Sequence, residues 1–146
     1  MDIICDIDGT IANLEHRRQW VQSKPKNWKA FYQNIHLDTP IQPVVEIIQD
    51  LNFIKHTIIF CTGREEIYRE VTTNWLEQYV FFPTHLYMRP KNDYRDDATI
   101  KLELLHQIRK DGFNPKVAFD DRKRVCDMWI ANGLHLFDVS QGKGDF

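Results

Sequence analysis

Disulfide chemistry has little to work with in this chain. Its three cysteines, Cys5, Cys61 and Cys126, are odd in number and far apart, each in an apolar or helical context. That excludes a disulfide framework and predicts reduced core thiols, the usual state in the cytoplasm. No histidine stands in an obvious partner position for any of them, which argues against thiol catalysis. No apolar run approaches the roughly 20 residues a transmembrane helix needs. The N-terminus enters a strand directly, so no signal peptide is expected and the expected location is cytoplasmic. Repeats and low-complexity runs are missing as well. Nor is there an excess of one charge: a net charge of -2 gives no global attraction to nucleic acid or to an anionic membrane.

What is present is an ordinary globular composition in 146 residues, the size of one domain with room for a real core. Residues Ile3 to Ala12, reading IICDIDGTIA, organise it. An apolar run leads into Asp6 and Asp8 and a glycine turn, the pattern of a buried strand ending in two carboxylates. Side chains two apart on a strand share a face. Paired acids at such a place are costly unless a cation or a proton sits between them. Open α/β sheets bind ligands at the carboxyl ends of their strands, so a metal site is the chemical reading.

From Asn13 to about Pro40 the pattern breaks. Arg17, Arg18, Lys24, Lys26 and Lys29 face only Glu15, a local excess of about four positive charges, with Trp20, Trp28, Phe31 and Tyr32 interleaved. Lys24-Pro25-Lys26-Asn27 reads as a turn between two short helices, with Asn27 capping the second. This insertion, about 13–40, is expected to cap the acidic turn, offering cations to a phosphate and aromatic faces to a base. A helix follows from about Pro43 to Phe53, then a buried strand Thr57–Cys61 that hands over at Thr62-Gly63-Arg64-Glu65 to a helix running to about Tyr79. The Thr62 hydroxyl and free N–H groups at that junction would suit a phosphate, or Thr62 simply caps the helix. A strand at His85–Met88, a charged loop and a helix from about Ala98 to Lys110 follow, with Asp96 or Asp97 as its cap. Lys101 in its first turns opposes the helix dipole and so has no stabilising reason to be there. Lys116–Phe119 is a further strand, again ending in acids, Asp120 and Asp121. A helix to about Ala131 and a strand near Leu134–Val139 complete the pattern. Alternation of this kind predicts a doubly wound, mostly parallel, Rossmann-like α/β sheet. The expectation is one domain over 1–146, with a small helical cap after the first strand.

On these residues the sequence resembles the haloacid dehalogenase superfamily of aspartate-based phosphatases. Asp6 to Thr10 matches the superfamily's DxDGT motif, Thr62 its second-motif hydroxyl, Lys101 its basic residue and Asp120-Asp121 its acidic pair. Within it, the chain is similar to the 3′-phosphatase domain of phage polynucleotide kinase–phosphatases. That likeness rests on Cys61-Thr62-Gly63-Arg64, Met88-Arg89, Asp96-Asp97 before Lys101, Asp120-Asp121-Arg122 and the ending Gly144-Asp145-Phe146. No GxxxxGK[ST] loop occurs, so no kinase module is expected in this sequence.

The resemblance implies a magnesium-dependent phosphomonoesterase used in nucleic-acid repair. Asp6 would be the nucleophile and Asp8 the general acid–base. Thr62 and Lys101 would stabilise the transferring phosphoryl group. Asp6, Asp8 (through its carbonyl), Asp120 and Asp121 would hold Mg2+. Thr10, Arg17 or Arg18, Gly63, Arg64 and Arg89 would contact the substrate phosphate or scaffold the site. Nucleic-acid 3′ ends are the expected substrate and free nucleoside monophosphates the alternative. A phosphoaccepting receiver-type module is the remote third reading. No membrane association is expected, and no stable protein partner can be inferred from the sequence.

Overall fold

The apolar runs assemble into one sheet. The computed structural model describes residues 1–143; Gly144-Asp145-Phe146, part of the resemblance above, lie outside the described residues. Five strands, β1 (Asp2–Cys5), β4 (Thr57–Glu65), β5 (Leu86–Arg89), β6 (Pro115–Asp120) and β7 (His135–Asp138), lie in the order β5-β4-β1-β6-β7. All four pairings are parallel. Each parallel step needs a crossover, and helices supply it: α3 (Gln42–Phe53), α4 (Arg69–Tyr79), α5 (Asp97–Lys110) and α6 (Lys123–Ala131).

The period-two rule explains the two faces. Ile3, Cys5, Ile58, Phe60, Val117 and Phe119 point to one side, where Val45 and Ile48 of α3 and Trp75 and Leu76 of α4 cover them. Ile4, Ile59, Cys61 and Ala118 point to the other, against Leu105 and Ile108 of α5 and Val125 and Trp129 of α6. With helices on both faces the sheet is doubly wound, as the alternation predicts. Both sides of β1 are buried, so truncating Ile4 to alanine would cost roughly 2–5 kcal/mol. All three cysteines are free and buried.

The strand order reverses direction at β1, and the segment after β1 lies over this end of the sheet. A short antiparallel ribbon, β2 (Ala12–Asn13) with β3 (Thr39–Pro40), clasps the two ends of that segment. Between them come two helices, α1 (Gln19–Gln22) and α2 (Trp28–Gln33), and 3-10 turns at Glu15–Arg17 and Ile35–Leu37. Asn27 caps α2 as expected: its side chain accepts the Ala30 N–H at 3.0 Å.

Two local expectations change. The β4 strand does not end at Cys61 but continues through Thr62, Gly63 and Arg64 to Glu65, with a register irregularity against β5; a 3-10 turn then precedes α4 at Arg69. Thr62 therefore caps no helix. At α5, Asp96 occupies the cap position but makes no capping bond, because its carboxylate pairs with Arg124 at 2.9 Å. Among the described residues no helix is long and apolar enough to cross a membrane.

Candidate active site

Two strand ends and one helix converge on a buried acid centre. Asp6 follows β1, Asp120 ends β6, Asp121 follows it, and α5 brings in Lys101. Asp6, Asp120 and Asp121 each offer a carboxylate oxygen, all within 4.8 Å of one another. The Lys101 ammonium donates to Asp6 Oδ1 at 2.7 Å and to Asp120 Oδ2 at 3.0 Å. Thr10, one turn on from Asp6, donates its hydroxyl to Asp6 Oδ2 at 2.8 Å, so both nucleophile-candidate oxygens are oriented. The Trp129 indole of α6 donates to Asp120 Oδ2 at 3.0 Å.

Burial and the adjacent Asp120 charge push the Asp6 carboxyl well above its usual range, against the pull of Lys101. Burial opposes the charge on Lys101, but Asp120, Asp6 and Asp97 more than offset it and keep the ammonium charged. Burial, then Asp120, pushes Asp121 up to about 6. One ammonium among three clustered carboxylates leaves a deficit of positive charge, and oxygen-only donors suit a hard divalent cation. The residues present fit such an ion.

Gly9 makes the approach possible. It sits at φ +82, and a Cβ there would meet the Asp121 carboxylate, so only glycine fits this turn.

Beside this centre lies a second network. Asp8 Oδ1 accepts from Arg17 and from Arg64, both at 2.6 Å, and Arg64 Nε reaches Asp8 Oδ2 at 3.1 Å. Both arginines are fully buried. Asp38 holds Arg17 through two bonds of 2.8 Å, and Thr72 accepts from Arg64 at 3.1 Å. His16 bonds the same Asp38 carboxylate at 2.6 Å. Burial pushes the Asp8 carboxyl up, but Arg64 and Arg17 outweigh it and hold Asp8 well below the ordinary carboxylate range.

The two networks open onto a cavity of about 460 Å3. Asp6, Asp8, Asp120 and Asp121 reach it from the sheet, Arg18, Trp28 and Tyr32 from the inserted segment, and Arg89 and Tyr94 from β5 and its following loop. Arg89 is occupied with backbone oxygens, donating to Gly63 at 2.7 Å, Asp93 at 2.9 Å and Arg95 at 2.6 Å, and so fixes that loop. Arg18 pairs with Glu15 at 2.9 Å.

Of the residues singled out in the sequence, the structure thus joins Asp6, Thr10, Lys101, Asp120 and Asp121 at one point and Asp8, Arg17 and Arg64 at the next. Thr62 is buried, accepting the Arg64 N–H at 3.1 Å, while Gly63 and Glu65 are the β4 residues that line the cavity. Asp38, Thr72 and Trp129 did not stand out in the sequence. For Asp38 a signal existed, since it is the first acid after a run of cations; Trp129 reads as plain core.

The whole chain, residues 1–146, matches the family described as the polynucleotide kinase PNKP phosphatase domain. A curated relative from Autographa californica nuclear polyhedrosis virus, named "Putative bifunctional polynucleotide kinase/RNA ligase", is 30% identical over 129 residues. The match covers 87% of this chain and 17% of the relative. A chain of the Pnkp1/Rnl/Hen1 RNA repair complex is 32% identical with a TM-score of 0.80, covering 94% of this chain and 42% of that one. The chain therefore spans less than half the length of either relative. D,D-heptose 1,7-bisphosphate phosphatase from B. bronchiseptica, solved with magnesium and phosphate, is 16% identical at a TM-score of 0.63, over 98% of this chain and 82% of that one. That likeness is one of fold alone. One expectation is overturned: with a subunit of a repair complex among its relatives, this chain does give grounds for inferring a stable protein partner.

Proposed function

This chain belongs to the family of polynucleotide kinase PNKP phosphatase domains, and on that premise we propose that it removes 3′-phosphates from polynucleotide ends through an aspartyl-phosphate intermediate. It is a phosphatase of the haloacid dehalogenase type; the end specificity, the intermediate and the ion are the proposal. The observation that carries it is the buried acid centre around Lys101, opening onto a cavity with basic and aromatic walls.

Asp6 attacks phosphorus with a carboxylate oxygen, forming the Asp6 O–P bond as the P–O bond to the sugar 3′ oxygen breaks. Thr10 and Lys101 keep that carboxylate aimed. Lys101 and the Gly63 region meet the equatorial oxygens as charge builds on them. Asp8 gives its proton to the departing 3′ oxygen and then takes one from the water that cleaves the Asp6 phosphate. Held by two guanidiniums, Asp8 is a carboxylate before substrate arrives. The negative charge of the entering phosphate dianion raises the proton affinity of Asp8 beside it, and Asp8 takes up a proton from solvent as the substrate binds, so the acid is armed by the substrate. Asp6, Asp120 and Asp121, with the Asp8 carbonyl, would hold magnesium, which supplies positive charge that screens Asp6 from the phosphate. The inserted segment 13–40 acts as the cap that limits water in this cavity.

Both relatives carry RNA in their names, which makes RNA ends the first substrate to test. By the same likeness we propose a stable partner subunit or attached module acting on the same ends; co-purification of this chain from its source tests it. The activity itself is tested by phosphate release, with magnesium, from a short 3′-phosphorylated oligonucleotide, its 5′-phosphorylated twin and free nucleoside 3′- and 5′-monophosphates. Asp6→Asn serves as the blank. Release mainly from 3′ ends is expected. Release only from free 5′-nucleotides would leave the chemistry standing and remove the polynucleotide reading.

A further inference from the structure

One stretch of the cavity wall has no part in the chemistry above. Trp28 and Tyr32 line it from α2 and Tyr94 from the loop after β5. The Trp28 and Tyr32 rings are stacked, with centroids 6.1 Å and planes 24° apart, and Tyr32 stacks in turn on Tyr68 at 5.2 Å and 25°. Buried Phe31 meets the Trp28 ring edge-on at 5.5 Å, fixing the indole from below. Yet Trp28 remains 46% exposed. A single exposed aromatic is unremarkable. This one is immobilised by its neighbours, stands at the mouth of a phosphatase cavity, and has the exposed Lys26 ammonium 5.7 Å from its ring centroid. A cation over an exposed ring is weakly held and can give way to another π-system.

The charges nearby narrow the choice of ligand. Arg95 is paired with Asp93 and Glu103, and Arg124 with Asp96. Arg89 serves backbone oxygens, and the chain carries a net charge of -2. Binding by backbone electrostatics alone is therefore weak. Every nucleobase has a π-face, so a rigid indole beside the reacting phosphate supplies sequence-tolerant affinity that charge does not.

We propose that Trp28 is the stacking platform for the nucleobase of the 3′-terminal nucleotide, with Lys26 released from the indole to meet the next backbone phosphate. This rests on the 3′-end reading above and deepens it: the substrate is an unpaired terminal nucleotide, recognised through its base. A base in a duplex has both faces occupied, so overhanging or frayed ends are favoured over blunt ones.

The test compares kcat/KM for phosphate release from a short single-stranded 3′-phosphorylated oligonucleotide with that from the same strand whose terminal sugar lacks its base. Wild type, Trp28→Ala and Trp28→Phe are measured with magnesium. For wild type, loss of the base is expected to lower kcat/KM about 5- to 100-fold, mostly through KM. Trp28→Ala should lose a similar factor on the intact strand and far less on the base-free one, and Trp28→Phe should recover most of the loss. Wild-type indifference to the base overturns the proposal, as does an equal loss on both substrates by Trp28→Ala. A locally misfolded α2 would give the equal loss, and Trp28→Phe, which keeps a ring in place, then decides: equal rates on both substrates for that variant also overturn it. Base-insensitive release from 3′ ends removes the stacking platform alone, whereas release only from free 5′-nucleotides removes the 3′-end reading and the platform with it.

Discussion

Replacing Lys101 with methionine keeps most of the side-chain volume and removes one charge from the least accessible part of the site. The Lys101 side chain is 2% exposed, with its ammonium 2.7 Å from Asp6, 3.0 Å from Asp120 and 3.9 Å from Asp97. Without it the hydrogen bonds from Thr10 to Asp6 and from Trp129 to Asp120 remain, but both donors are neutral. Breaking a buried ion pair from one side costs about 3–5 kcal/mol. For a chain this long that is a fall in Tm of roughly 6–20 °C. The loss has a pH signature. Burial and Asp120 already raise Asp6, and Asp121 stands at about 6; removing the ammonium raises both further. A carboxyl raised on folding contributes stability below its unfolded pKa and loses it as pH rises through the folded value. The deficit of Lys101→Met should therefore be largest at pH 7.5 and shrink toward pH 5. Urea unfolding in EDTA at both values measures it, and added magnesium should restore part of the loss at pH 7.5. A variant within about 1 kcal/mol of wild type at pH 7.5, or a deficit that does not change with pH, would mean that the ammonium does not hold these carboxylates charged.

Asp121→Asn should stabilise the metal-free protein at pH 7.5 by about 2–3 kcal/mol, because a carboxyl pushed up to about 6 is charged there at a cost; the variant should also lack that group's loss of stability between pH 4 and 6. Paired denaturation curves across that range check both. Gly9→Ala sets a Cβ against the Asp121 carboxylate at φ +82 and should destabilise by about 1–3 kcal/mol while abolishing phosphate release. Arg64→Gln leaves Asp8 with Arg17 alone and strands the Thr72 hydroxyl. A loss of about 3 kcal/mol in stability and about 10²-fold in kcat/KM is expected from unfolding and steady-state assays.

Much of this was legible in the chain because it depends on local pattern. Apolar strands that end in acids announce both the sheet and the acid centre, and Lys101 was marked by its wrong place on a helix dipole. The overrun of β4 was not legible. Thr62-Gly63-Arg64 carries no apolar run, and its extended backbone is held from outside by the Arg89 side chain on the Gly63 carbonyl. Asp38 escaped for a related reason. Thirty residues separate it from Asp8, and only the β2–β3 ribbon, pairing Ala12 with Pro40, returns it to the two arginines. Trp129 gave no warning, since a buried indole that also donates to Asp120 has the same sequence signature as one that merely packs. The proposed protein partner has no local mark in the sequence at all; the grounds for it are a relative that belongs to a repair complex.

On the proposed mechanism Asp6 carries the phosphoryl group. Acid-quenching the protein during turnover of a 3′-phosphorylated oligonucleotide, then reducing with borohydride, converts an acyl phosphate at an aspartate into homoserine. Peptide mass spectrometry then locates it. Homoserine is expected at residue 6 and nowhere else, with no phosphate release by Asp6→Asn. An unmodified Asp6 under full turnover, with phosphate still released by the Asp6→Asn variant, would contradict it.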